Sequence, residues 1–501
     1  MYRSTRFDDA MPHPYARLLL PAVRWDRARG FAAADDAVAH ALDRGVAGFL
    51  LFGGEATAVT AWIADVRARA QRPLLIASDL ERGAGQQFAG ATPLPPAGAL
   101  GALDDLDVTR RAGELTGREA RALGIDWVFA PVADLDVEPA NPIVGTRAFG
   151  ADPARVAAHA HAWIEGARAA GVATCPKHFP GHGRTRGDSH AERPVVGASR
   201  AELEADLTPF RAAFAAGAET TMTAHVVYPA LDPSGLPATL SPAILQTLLR
   251  DELQFRGLVV TDALTMKGLT ADELDEGQAA VRALAAGCDV LLYPQDLDAV
   301  LAALDAALAG GALPEARLRH ALRRVDALTA RLTPTAPPPE APGWGAEADG
   351  AWALAIAVRS LRVLRGRPQL PGPRVRLETL DDDVGGPYPP YPRDALPAAL
   401  QEAGVALADD GAPVLAVFAD VRAWKGRPGL TETTRAAAAA FCRAHPDAPV
   451  LLFAHPRLAD ELPEARHLLV AWSGESLMQQ AAAAYLTGAP LRLRPSPGLL
   501  T

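Results

Sequence analysis

Four strand-like runs of this chain end in ionisable side chains. Asp79 closes PLLIASD, Lys177 and His178 close VATCPKH, His225 closes TTMTAH, and Asp262 closes LVVTD. Carboxylates and imidazoles at fixed positions can attack, donate or accept protons, and charged donors can hold hydroxyl groups. A solvated loop would explain any one of these ends. Four of them after apolar interiors point to one pocket. The densest stretch continues from His178 through FPGHGRTRGDSH to His190 and holds three histidines, with Asp188 two residues before His190. A carboxylate beside an imidazole fixes its tautomer and prepares a general acid/base. The competing reading is a turn in which Asp188 caps the backbone and His190 is merely exposed. His178 and His182 share the i, i+4 spacing of helical zinc ligands, but Phe179, Pro180 and Gly181 between them break a helix, so no metal is expected.

These residues need elements that converge. The strand-like runs are 17–23, 46–52, 73–79, 126–132, 172–178, 220–226, 258–262 and 289–293, and amphipathic helical patterns such as DDAVAHALDR and VTRRAGELTGREARAL lie between them. Alternation of this kind predicts parallel strands with crossover helices. Eight runs suit a (β/α)8 TIM-type barrel, whose sites sit at the C-terminal ends of its strands, better than a doubly wound open sheet. The stretch TPTAPPPEAPGWGAEADG is rich in proline and small residues and reads as a linker over 333–350. Residues 1–332 are then the catalytic domain. Residues 351–501 form a smaller α/β sandwich domain, with strands in VLAVFADV, VLLFAHP and HLLVAWS and no GxGxxG or GxxxxGK[ST].

Composition removes several classes. With 49% hydrophobic and 22% charged residues the 501-residue chain reads as globular, and a net charge of −10 argues against a nucleic-acid partner. Cys175, Cys288 and Cys442 are too few and too scattered for a disulfide framework or a zinc cluster. No apolar run reaches the ~20 residues of a membrane span, and the first 26 residues lack signal-peptide features, so a cytoplasmic protein with no membrane partner is expected. The oligomeric state expected is a monomer or weak dimer.

The stretch KHFPGHGRTRGDSH, from Lys177 to His190, resembles the signature of the β-N-acetylglucosaminidase branch of glycoside hydrolase family 3. FAPVADLDVEP, NPIVGTRAFG, MTAHVVYPALD and FRGLVVTDALTMKGL are similar to further segments of that family over most of residues 15–330. The resemblance implies a retaining exo-β-N-acetylhexosaminidase acting on cell-wall or chitin fragments, in peptidoglycan recycling, with a carbohydrate as sole partner and no cofactor. It places the nucleophile at Asp262, the acid/base at His190 oriented by Asp188, and sugar contacts at Asp79, Arg147, Lys177, His178 and His225. It also leaves open a phosphorylase, a β-glucosidase or β-xylosidase, and a sugar-binding protein on an inactive barrel. Asp262, Asp188 and His190 together argue against the last, since binding alone needs no nucleophile. Arg184 and Arg186 add charge that suits phosphate or a substrate carboxylate, and the glycines at 181, 183 and 187 suggest a mobile loop. One run departs from the family pattern. Where the branch shows Asp-x-Glu-Gly-Gly-Arg, this chain has Asp79, Leu80, Glu81, Arg82, Gly83 and Ala84.

Overall fold

The computed structural model describes residues 12–270, 274–332, 343–383, 390–423 and 425–494. Each of the eight expected runs in the first 332 residues carries a strand. They are β1 (Leu19–Leu20), β2 (Ala22–Arg24), β3 (Gly48–Phe52), β4 (Leu75–Ser78), β5 (Trp127–Val128), β6 (Ala173–Thr174), β7 (Thr220–Met222), β8 (Leu258–Ala263) and β9 (Val290–Leu292). The first run yields two strands because Pro21 has no N–H to give to the ladder. All pairings are parallel, in a five-stranded sheet ordered β2-β3-β4-β5-β6 and a four-stranded sheet ordered β1-β9-β8-β7. Backbone rungs also cross from the end of the β6 run to that of β7, where Phe179 N bonds Met222 O and Ala224 N bonds Phe179 O, both at 2.8 Å.

Crossover helices follow the strands as the alternation predicts, among them Ala56–Ala70, Leu106–Leu123, Pro153–Ala169, Arg200–Ala215 and Glu276–Ala286. Their starts are set locally. Asp105 caps Leu106–Leu123, and Ser199 with Glu202 forms a capping box on Arg200–Ala215. Two buried carboxylates sit where strands begin: Asp126 takes Arg67, Arg121 and the Ile76 N–H, and Asp289 takes Arg250, Arg317, Arg324 and the Val259 N–H. Charge at this end of the sheets is consumed by structural pairs, which leaves chemistry to the other end.

The C-terminal unit is a six-stranded mixed sheet, β10 (Arg362–Arg365), β11 (Arg374–Asp381), β12 (Ala406–Leu407), β13 (Ala412–Ala419), β14 (Pro449–Ala454) and β15 (His467–Val470), ordered β10-β15-β14-β13-β11-β12. Along β13, Val414, Ala416 and Phe418 join the large core shared with the first sheets, while Leu415, Val417 and Ala419 join a second core with Phe441 and Leu458. That period of two buries both faces, as a layer between helices requires. Residues 333–342 of the expected linker lie outside the described residues. The last four linker positions are helical instead, in Glu347–Ser360: Glu347 and Asp349 supply acidic charge to its first turn, and Asp349 pairs with Arg118 at 2.6 Å.

Candidate active site

Asp79 stands just past β4, Lys177 and His178 just past β6, and Asp262 one residue before the end of β8. Lys177 Nζ lies 2.6 Å from Asp79 Oδ1 and 2.7 Å from Glu81 Oε1. Arg147, on the short turn Gly145–Arg147, grips the same Glu81 twice, Nε to Oε2 at 3.0 Å and Nη2 to Oε1 at 2.8 Å. Burial works against the charge on Glu81, but Arg147 and Lys177 outweigh it and hold its carboxyl well below the usual range. Two cations and two carboxylates thus form one cluster of fixed donors and acceptors, the kind of surface that orients a polyol.

His178 turns its Nδ1–H to Asp134 Oδ2 at 2.7 Å, and Asp134 Oδ1 takes the His178 and His182 backbone N–H groups at 3.1 and 2.7 Å. One buried carboxylate therefore fixes the loop and aims the imidazole. His182 is pushed down to about 4 by burial and the neighbouring His178, and it hydrogen-bonds Ser189 and Thr185 at 2.8 and 2.9 Å. It is a neutral brace inside the loop.

Strand β8 changes register between Val260 and Ala263, so Asp262 sits on an irregularity that re-aims its side chain. Its Oδ1 accepts the Ala263 N–H at 2.8 Å. Burial opposes ionisation there, yet the imidazoles of His178, His225 and His190 together hold Asp262 below the usual carboxylate range. His190 Nδ1 lies 2.7 Å from Asp188 Oδ1; the Asp188 side chain is 2% exposed and the imidazole 22%. The orienting carboxylate is thus dry while the ring is partly exposed. The same Asp188 oxygen accepts the His190 N–H at 2.9 Å, so the capping turn and the dyad coexist.

The loop itself is braced. Ser189 O accepts from Gly268 N at 2.9 Å, and Arg193 reaches the carbonyls of Gly268 and Leu269 at 2.9 and 3.0 Å. Gly183 is a packing glycine, since a Cβ there would fall 1.7 Å from Leu135 O. Arg184 is drawn onto buried Asp206 at 2.6 Å and Arg186 onto Glu138 at 2.9 Å, so both loop arginines already have carboxylate partners.

Asp79, Arg147, Lys177, His178, Asp188, His190, His225 and Asp262 are brought to one region, joined by these bonds and by their mutual electrostatics. His225 differs in orientation from the sugar contact expected of it. It is fully buried, with Nδ1 2.7 Å from Thr239 Oγ1 and Nε2 3.0 Å from Ala263 O, so it props the peptide beside Asp262. Burial pushes it below its ordinary value. Sequence reasoning did not single out Glu81 or Asp134 as site residues. Glu81 lies two residues past Asp79, and Asp134 follows the β5 run within FAPVADLDVEP. Arg82 turns away from the cluster to Tyr391 and Glu475, and Ala84 is buried.

Residues 16–328 match the glycosyl hydrolase family 3 N terminal domain. A β-N-acetylglucosaminidase/β-glucosidase of Cellulomonas fimi is 40% identical over 297 residues, 57% of this chain and 52% of that protein, about half its length. A β-hexosaminidase of Idiomarina loihiensis is 42% identical over 252 residues, 49% of this chain and 74% of that protein. Among solved structures, a family 3 β-N-acetylglucosaminidase from Paenibacillus sp. str. FPU-7 superposes with a TM-score of 0.82 at 29% identity, over 97% of this chain and 98% of that one. With the match extending over more than half of its length, the chain belongs to glycosyl hydrolase family 3.

Proposed function

We propose that the chain is a retaining, exo-acting β-N-acetylglucosaminidase that releases terminal β-linked N-acetylhexosamine from cell-wall or chitin fragments in the cytoplasm. The observation that carries this reading is the buried Asp188 holding His190 at 2.7 Å in a site where His190 also bears on the charge of Asp262. In the first step the Asp262 carboxylate attacks the anomeric carbon, most directly through Oδ2, since Oδ1 accepts the Ala263 N–H. The glycosidic C–O bond breaks, and the Nε2–H of His190 gives its proton to the leaving oxygen. In the second step neutral His190 takes a proton from water, whose oxygen displaces Asp262 and regenerates the β-anomer. An imidazole can give a proton in the first step and take one in the second, which suits one group to both roles. Asp79, Lys177, Arg147 and His178 hold the hydroxyls and the N-acetyl group.

Water is the acceptor in this reading. The loop arginines that would draw phosphate are engaged by Asp206 and Glu138. The fold reading goes with it: β1 and β2 read as one run interrupted by Pro21, and the rungs at Phe179 between the other two sheet edges support an eight-stranded barrel for the first domain. Residues 351–501 are the second domain. The test is a panel of nitrophenyl glycosides with and without millimolar phosphate. The N-acetylglucosaminide should be cleaved fastest, to free sugar. Phosphate-dependent turnover to a sugar 1-phosphate, or preference for a glucoside or xyloside, would overturn it.

A further inference from the structure

Three segments that carry or flank the sugar-holding residues touch the C-terminal unit within two residues of a site position. Arg82 follows Glu81, and its Nη2 lies 3.0 Å from Tyr391 Oη and 3.2 Å from Glu475 Oε1. Its guanidinium also sits over the Tyr391 ring, 5.9 Å from the centroid. Asp136, two residues past Asp134, is paired with Arg457 and with His455 Nε2, the latter at 2.8 Å. Gly145, two residues before Arg147, lies where a Cβ would come within 2.8 Å of Val421 Cγ2.

These contacts are desolvated and stiff on both sides. The side chains of Arg82 and Glu475 are only 12% and 14% exposed, and a buried guanidinium without a carboxylate would be strongly unfavourable. Glu475 is fixed from its own unit, because Gly474 N donates to Asp420 Oδ1 at 2.6 Å and Trp472 Nε1 to Ser360 O at 2.7 Å. On the other side, Glu81 is bonded to both Arg147 and Lys177, and Lys177 to Asp79. A displacement at Glu475 is therefore passed through Arg82 to Glu81 and from there to the whole cluster. The chain bears this arginine at a position where the family run it resembles has glycine, and Tyr391 and Glu475 are its partners.

We propose that Arg82 and Asp136 are positioning residues through which the C-terminal unit sets the sugar-holding cluster, so that affinity for the sugar depends on Tyr391, Glu475 and His455, which bond Arg82 and Asp136. This rests on the reading of Asp79, Lys177, Arg147 and His178 as sugar ligands. The test uses the full-length protein with Arg82→Ala, Arg82→Lys, Glu475→Gln, Asp136→Asn and the Arg82→Ala/Glu475→Gln double variant. For each, KM and kcat on 4-nitrophenyl N-acetylglucosaminide, the Ki of free N-acetylglucosamine, and Tm are measured.

Arg82→Ala and Glu475→Gln should each raise KM and Ki about ten- to a hundredfold, as small misplacements of binding groups do, with kcat within about threefold. The double variant should be no worse than Arg82→Ala alone, because the two act as a unit. Arg82→Lys should recover part of the loss, and Asp136→Asn should raise KM in the same way. Unmoved KM and Ki would overturn the inference, whether Tm falls or not, and so would a loss confined to kcat. A wild-type enzyme inactive on this substrate would contradict the functional reading itself, whereas an active wild type with unmoved variants contradicts only the positioning role.

Discussion

Replacing His190 by alanine should slow the enzyme in proportion to how much the leaving group needs a proton. The imidazole is tied to Asp188 by a 2.7 Å bond, with the carboxylate 2% exposed, so the donor is pre-oriented and its partner is dry. General acid catalysis by such a group contributes about 10²–10⁴ in rate. The Asp188 bond is charge-assisted and nearly buried, which corresponds to about 1.5–3 kcal/mol net. Asp188→Ala should therefore lose about 10- to 150-fold, at 1.36 kcal/mol per tenfold. The assay is kcat/KM on two aryl N-acetylglucosaminides, a methylumbelliferyl aglycone that leaves poorly and a dinitrophenyl aglycone that leaves without protonation. His190→Ala should lose the full factor on the first and little on the second, and Asp188→Ala should show the same pattern at smaller amplitude. Equal losses on both substrates would refute the acid/base role and make His190 a residue that binds or organises its loop. A larger loss for Asp188→Ala than for His190→Ala would refute the orienting role.

Glu81→Gln removes the carboxylate shared by Arg147 and Lys177 and should destabilise the fold by about 3–5 kcal/mol, as loss of one partner from a buried ion pair does. Because Glu81 is held well below its ordinary value, its contribution is fully present above about pH 4.3 and fades as pH falls through the folded value. The Tm gap between wild type and Glu81→Gln should accordingly narrow in acid; a constant gap would contradict the pairing. Asp420 shows the opposite sign. Burial and the adjacent Asp383 push its carboxyl up to about 7, so stability should decline as pH rises from about 4 through 7. Asp420→Asn should flatten the Tm loss between about pH 4 and pH 7, and an unchanged slope would count against it. Gly183→Ala places a Cβ 1.7 Å from Leu135 O, an overpacking that should cost about 1–3 kcal/mol or more. It should also lower kcat/KM through the loop that carries Asp188 and His190, and wild-type kinetics would show that the loop tolerates the shift.

Much of the site was legible because one rule applied: polar residues at the ends of apolar runs. It found Asp79, Lys177, His178, His225 and Asp262 without a tertiary contact in view. Asp134 obeys the same rule but lies two residues beyond the β5 run, and Glu81 is separated from Asp79 by a buried leucine, so neither stands at a visible strand end. The role of His225 was not legible, since its partner Thr239 is fourteen residues away and its other partner is a carbonyl. Loop mobility was expected from glycine content, yet Gly183 is there because Leu135 O comes too close for any side chain. In the C-terminal unit, β11 is a strand because β12 and β13 flank it and pair its backbone. The contacts of Arg82 and Asp136 with residues about 310–390 positions later leave no trace in local sequence.

The central claim is that Asp262 becomes covalently bonded to the sugar. The direct measurement is mass spectrometry of a tryptic digest after reaction with a slow fluorinated N-acetylglucosaminide. Trypsin cuts after Arg256 and Lys267, and the peptide between them, GLVVTDALTMK, contains one carboxylate side chain, Asp262. The account predicts that this peptide, and no other, gains the mass of one fluorinated sugar, and that Asp262→Asn abolishes both labelling and turnover. A label on the peptide that carries Asp79, or steady turnover by Asp262→Asn, would contradict it.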